Sequence, residues 1–297
     1  MMRVDPNYVN NLAASIEQSS GAEQRLTNQL SSGLRVASLA DDPVAAAQSS
    51  LLNGAIGRDD TYVRTASREA STLQVADSAL GEVVRQLTAA IGLAVQAGNG
   101  TLSAANKTAL AQQVSGIRDQ VLTLANTSYL GQHLFGGSQG AGSPFSLDNS
   151  TSPAMVSYNG DTKLQYVETP GGQKIPVNVP GTALFGSGSS GVFGALNQLV
   201  ADLSSGADAT VDSGALSDAL GQLTTQRSVL GSALSRVQAT SNYAQTDAAQ
   251  LRATQSGLMS SDTVQVATDL KTVEMQHQAL LSVMAALQKV NLFDYLH

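Results

Sequence analysis

Three histidines, His133, His277 and His297, are the side chains of this 297-residue chain whose ordinary pKa suits proton transfer near neutrality, and their settings argue against chemistry. His277 has Glu274 three residues before it, on the same face of a helix, but no second His or Cys stands three or four residues away to complete a metal site. It reads as a solvated or interfacial polar residue. His133 lies in a glycine-flanked loop, and His297 is the final residue. A Ser–His–Asp triad would draw its serine from a large supply, and no nucleophile elbow is read here to present one. No His-Glu-x-x-His motif occurs. With no cysteine there is no disulfide framework, thiolate nucleophile, Cys-ligated zinc or iron–sulfur cluster. The pair Asp41-Asp42 has the residue type for acid–base work or Ca²⁺. Followed by Pro43, it reads first as a helix cap with Arg35 as an ion-pair partner. The tract Gly186-Ser-Gly-Ser-Ser-Gly191 lacks a Walker-type lysine and reads as a linker. Arg227 falls on an apolar stripe, either as a buried network member or as an edge residue with a packed stem and solvated head. The expectation is a protein with no catalytic, cofactor or metal site.

The elements around these residues are more informative. Near the N-terminus Val9, Leu12, Ile16, Ser19, Glu23, Leu26 and Leu30 follow alternating steps of three and four. Near the C-terminus Val266, Leu270, Val273, His277, Leu280, Met284 and Leu287 do the same. That spacing is the seam of a coiled coil. Ser19, Glu23 and His277 interrupt the two seams, which lowers stability and fixes register. Two such narrow stripes bury each other only in part, so each needs further partners. The apolar members, Val9, Leu12, Ile16, Leu26, Leu30, Val266, Leu270, Val273, Leu280, Met284 and Leu287, are therefore candidate assembly residues. Ends of this kind are marginal alone, and residues ~1–40 and ~260–297 are expected to be mobile in an isolated monomer. Copies related by a non-closing rotation build helical tubes.

Composition narrows the partners. Net charge is −7, and the few lysines form no basic patch, which argues against nucleic acid. No apolar run is read as approaching the ~18 residues of a membrane span, and the opening MMRVDPNYVNN has no apolar core of a cleavable signal. Aromatic anchors are scarce, with no Trp, so packing must rely on Leu, Val and Ala.

Along the chain, Gly33 is a plausible helix stop and Asp41-Asp42-Pro43 a helix start. A stripe from Leu73 through Leu80, Leu87 and Ala94 ends at Gly98-Asn99-Gly100. Ser103 or Asn106 can cap the next helix, which should stop near Gly131. From residue 136 to about 191, Gly, Ser, Pro and Thr dominate. Short alternating runs at Val156–Tyr158, Leu164–Thr169 and Ile175–Val179 read as strands of a small β insertion. Residues 213–259 return to helix, a rod of roughly 70 Å. The predicted fold is mainly α, a long antiparallel coiled-coil bundle formed by the N- and C-terminal segments, with a β-rich insertion at the tip. The expected domains are 1–40 with 260–297 (terminal coiled coil), 41–138 with 192–259 (helical bundle) and 139–191 (insertion).

Leu30-Ser-Ser-Gly33-Leu-Arg35 followed by Asp41-Asp42-Pro43-Val-Ala-Ala46 resembles the N-terminal signature of the bacterial flagellin superfamily. Leu93-Ala-Val-Gln-Ala-Gly98-Asn-Gly100-Thr101 resembles a second segment of it. Within the superfamily, Gly131–Gly137, Pro144-Phe145 with the strands that follow, and the ending Asn291-Leu-Phe-Asp-Tyr-Leu296 resemble the junction-protein branch more than filament-forming flagellin, the alternative. Thr88-Ala-Ala-Ile-Gly92 stands where many flagellins carry the charged residues that innate immune receptors bind, so the resemblance does not extend to that recognition. The resemblance implies a structural subunit of the flagellum, with the terminal helices forming an inner tube and the middle helices an outer one. The implied partners are copies of itself, a companion hook–filament junction protein, flagellin, and an export chaperone on the C-terminal helix. It also implies an extracellular location, reached through the flagellar type III apparatus.

Overall fold

The computed structural model describes residues 6–98 and 102–295, with side chains described from 7 to 287 outside the intervening gap. The described residues fall into two compact units, one drawn from residues up to Gly57 and from Asp247 onward, the other from Arg58–Thr246.

The first unit is built on α1 (Pro6–Ser32) and α7 (Thr263–Tyr295), which pack against each other. Their sense is antiparallel, because Ser19 meets His277 while Gln29 meets Ser261. Helix α1 ends where expected: Gly33 takes φ 68°, a left-handed conformation glycine adopts without strain, and its N–H closes on the Gln29 carbonyl. The chain then runs antiparallel to residues 259–261. Arg35 N–H donates to Met259 O at 2.7 Å and Ser261 N–H to Gly33 O at 3.0 Å, with Val36 fully buried beneath. Helix α2 (Pro43–Ala97) starts at the predicted proline, and Asp42 Oδ1 accepts the Ala45 N–H at 3.0 Å as its cap. Residues 43–57 of α2 bury Ala45 and Ile56 in this unit, and Gln255 Nε2 of α6 (Thr210–Met259) donates to the Ser49 hydroxyl at 3.0 Å. Asp262 caps α7 through the Val264 and Gln265 N–H groups.

The second unit has its own continuous core. Leu73, Leu80, Val83, Leu87, Ala90 and Ala94 of α2 join Leu216, Leu223, Leu230 and Val237 of α6 in one cluster. Helix α3 (Ala104–Ala125), with the Ser103 hydroxyl accepting the Asn106 N–H as predicted, packs on α5 (Gly191–Ser205). Between them lie three antiparallel ladders: β1 (Ser128–Tyr129) with β2 (Gln132–His133), β3 (Phe145–Asp148) with β4 (Met155–Tyr158), and β5 (Tyr166–Glu168) with β6 (Lys174–Pro176). A short α4 (Gly181–Phe185) follows. Phe135, Phe145, Phe185 and Phe193 form a cluster with ring centroids 5.3–5.7 Å apart, and Tyr158 lies 5.1 Å from Phe145. Four of the five phenylalanines are thus gathered at one place, where large rings close the β segments onto α5.

Three expectations need correction. Helix α3 ends at Ala125 rather than near Gly131, because Leu130 (φ 51°) and Gly131 (φ 79°) form the two-residue loop of the β1–β2 hairpin, both positive as a type I′ turn requires. The Gly186–Gly191 tract is an ordered turn, not a linker. Gly188 N–H donates to Val156 O at 3.2 Å, and a Cβ at Gly186 would sit 2.5 Å from the Ser190 carbonyl oxygen. Helix α2 does contain an 18-residue window with mean hydropathy 1.2, long and apolar enough to pass as a membrane span. A third of that window is buried, on the face that carries Leu80, Val83, Leu87, Ala90 and Ala94.

Candidate assembly surface

The two terminal stripes face each other, but they do not finish the job. Leu12 and Val266 are the stripe residues that become fully buried, each 7% exposed. Val9, Ile16 and Leu26 of α1, and Leu270, Val273, Leu280, Met284 and Leu287 of α7, are half-buried. Leu30 stays 40% exposed. Off the stripe, α7 presents Val264, Met275, Leu281 and Val283 to solvent, as α1 does Tyr8. The adjacent pairs Leu280-Leu281 and Val283-Met284 carried that signal: neighbours on a helix lie about 100° apart, so an apolar pair cannot fit one narrow seam. Apolar positions along both helices are thus left open to solvent.

The polar interruptions have partners. Ser19 Oγ and His277 Nδ1 lie 2.7 Å apart, and the same hydroxyl oxygen is 2.9 Å from the Ile16 carbonyl; with its proton on that carbonyl, the hydroxyl accepts from an imidazole protonated at Nδ1. Glu274 pairs with Lys271 at 3.1 Å rather than with His277.

The Asp41-Asp42 segment is a structural corner. Asp41 Oδ2 accepts from the N–H groups of Ala37 and Ser38 and from the Ser38 hydroxyl, and the backbone bond from Ser38 leads in holding its carboxyl below the usual range. Asp42 is lowered first by the Ala45 N–H and then by Arg35, whose Nη1 lies 3.1 Å away. Arg35 Nη2 also donates to the Leu258 carbonyl at 2.9 Å, tying the α1–α2 link to the end of α6. The two carboxylates serve different partners, as a cap and a turn, and share no site.

Arg227 is resolved as an edge residue with one specific partner. Its guanidinium is bidentate to Asp77 of α2 at 2.7 and 3.0 Å, and both side chains keep about a third of their surface in water. Arg227 lowers the Asp77 carboxyl, and Asp77 raises Arg227 in return. Gly81, one turn on, lets the guanidinium lie against the helix: a Cβ there would stand 3.3 Å from Nη2. Arg118, not singled out in the sequence, is the buried cation, held by Asp119, Ser115 and Asn197.

Contrary to the sequence expectation, the chain does contain a Gly-x-Ser-x-Gly segment, Gly136-Gly-Ser138-Gln-Gly140. The segment follows a short hairpin and enters no helix, and the Ser138 hydroxyl donates to Asp161. His133 Nδ1 is engaged by the Asn126 carbonyl at 2.8 Å, so no serine–histidine pair forms there. Among the described residues no group of three or more His, Cys, Asp or Glu could hold a metal ion.

The first and last helices pair with each other, while the middle of the chain builds a separate core. The chain belongs to the bacterial flagellin family: residues 7–140 match the bacterial flagellin N-terminal helical region and residues 214–296 the bacterial flagellin C-terminal helical region. It is 30% identical over 181 residues, 61% of this chain and 55% of the relative, to the flagellar hook-associated protein 3 of Salmonella typhimurium. The match thus spans about half of that relative's length. Among solved structures it is similar to a flagellar hook-associated protein of Vibrio parahaemolyticus (TM-score 0.65, 16% identity, 74% of this chain and 100% of the other). The flagellar hook-associated protein 3 of Legionella pneumophila matches with TM-score 0.63 and 16% identity, over 70% of this chain and 98% of the other. At that identity the likeness is one of fold.

Proposed function

We propose that this chain is a structural subunit of the bacterial flagellum that joins hook to filament. In this reading it assembles with copies of itself through α1 and α7, meets a companion junction protein on the hook side, and seeds flagellin on the other. The observation that carries it is the half-covered α1–α7 pair in a chain whose relatives include flagellar hook-associated protein 3. The uncovered apolar positions are what a neighbouring subunit would bury, and the eleven stripe residues from Val9 to Leu287 are the proposed contact set. Three domains are proposed on the same basis: residues 1–40 with 260–297 as an inner tube, 41–138 with 192–259 as an outer tube, and 139–191 as an insertion. Export would run through the flagellar type III apparatus, with a chaperone on α7 beforehand. No cofactor is needed for any of this, and the role is structural, not enzymatic.

The test is a deletion strain, with electron microscopy of its basal bodies and assay of its spent medium. Bare hooks with flagellin leaking into the medium are expected. Bare hooks with none in the medium would make this chain the filament subunit, the second reading. Normal filaments, in a strain shown to hold no second copy, would overturn both.

A further inference from the structure

Helices α5 and α6 meet through residues 206–209, and the polar groups of this corner are unequally served. Gly206 (φ 77°) ends α5, and Ala207 N–H closes on the Asp202 carbonyl at 2.9 Å. Lys107 of α3 donates from Nζ to the Gly206 carbonyl at 2.8 Å and the Ala207 carbonyl at 3.3 Å. Asp208 accepts the N–H and hydroxyl of Thr210. The exception is Asp212, in the first turn of α6: it is 5% exposed, and its Oδ2 has no hydrogen-bond partner among the described residues.

A carboxylate in a helix's first turn is ordinarily favoured by the N–H groups there. Here burial and like charge act against it. Asp202 of α5 stands within hydrogen-bonding reach, and Asp208 of the link adds a second negative charge. Lys107, the cation contributed by α3, faces Asp208, and its ammonium is spent on two carbonyls. The last turns of α2, residues 91–98, carry no ionisable side chain. Two ionised carboxylates are both acceptors and cannot bond to each other. A single proton between them supplies the missing donor.

We propose that Asp212 and Asp202 form a proton-operated latch, in which one shared proton ties the first turn of α6 to the last turn of α5 and its loss loosens that corner. Burial first, then Asp202 and Asp208, hold the Asp212 carboxyl up at about 6, against an ordinary value of 3.8. With the folded value raised, the proton's contribution is complete below 3.8 and is lost as pH rises through about 6. Asp202 also accepts from Gln198 Nε2, at 3.1 and 3.0 Å to its two oxygens.

The test uses the full chain: carboxyl-carbon NMR titration of the aspartates, and amide exchange of residues 206–214 at pH 5 and pH 7.5, corrected for intrinsic rates. The latch predicts an Asp212 midpoint near 6 and protection on the order of tenfold or more greater at pH 5. Asp212→Asn should be protected equally at both pH values, and Asp202→Asn should lower the Asp212 midpoint. An Asp212 midpoint at the ordinary carboxylate value, or a pH dependence of exchange that survives Asp212→Asn, would overturn the proposal. Should Asp212→Asn fail to fold, an Asp212 midpoint unmoved by Asp202→Asn would overturn it alone.

Discussion

Ser19 and His277 interrupt two separate apolar stripes 258 positions apart in sequence, and the structure places them in one hydrogen bond of 2.7 Å. Each would be a defect alone. Together they satisfy one another at a single level of the α1–α7 pair, and sliding α7 by one seam step would take the imidazole away from Ser19 to Ile16 or Glu23. Ser19→Ala should therefore cost about 1 kcal/mol in the terminal pair. Thermal melts followed by amide exchange in α1 and α7 read that loss, which should leave the core around Leu80 and Leu223 unaffected.

Leu280 tests the assembly surface. It is half-buried on α7, the helix that packs on α1, with exposed Leu281 beside it. Leu280→Asp should abolish incorporation into the flagellum, seen as hooks without filament, while the helical signal of residues 58–246 is retained. Normal filaments with the variant protein would remove the α1–α7 stripe from the contact set.

The Asp77–Arg227 pair should matter modestly. Because both side chains keep a third of their surface in water, Arg227→Ala should cost at most about 1 kcal/mol. Asp77 is lowered in the folded state, so its contribution is present above the ordinary carboxylate range and lost as pH falls through it. The difference in unfolding free energy between the native chain and Arg227→Ala should therefore shrink in acid, as denaturant titrations at pH 7 and pH 3 would show.

Phe185 stands at the centre of the ring cluster, fully buried and in contact with Phe135, Phe145 and Phe193. Phe185→Ala should cost ~3–5 kcal/mol. The loss should register as amide exchange throughout β3, β4 and α5, with the α1–α7 pair unchanged.

The isolated chain offers a further check. With so little apolar area covered, amides of α1 and α7 should exchange far faster than those of α2 around Leu80 and Leu87. Uniformly slow exchange across both would contradict the need for neighbours.

What the sequence revealed was local. The start at Asp42-Pro43, the cap at Ser103 and the stop at Gly33 were legible because a cap or a left-handed glycine acts within a few residues. The terminal stripes were legible for the same reason, a short period. Leu130 escaped notice because a leucine at positive φ has no composition signal, and Gly131 beside it looked like a helix stop. The phenylalanine cluster gathers residues spread from 135 to 193, and Arg118 looks like an ordinary surface residue until Asn197 of α5 covers it. The choice between two roles for Arg227 needed Asp77, 150 positions away. Contacts of that range are set by tertiary packing, which no window of sequence displays.

The backbone bonds of Arg35 to Met259 and of Ser261 to Gly33 also have a kinetic meaning. They join segments more than two hundred residues apart, so this contact cannot close on a ribosome-bound chain until residues 259–261 have emerged. Throughout synthesis α1 waits without α7, its stripe unmatched. Any partner that occupies α7 during this interval postpones closure without having to break a finished structure.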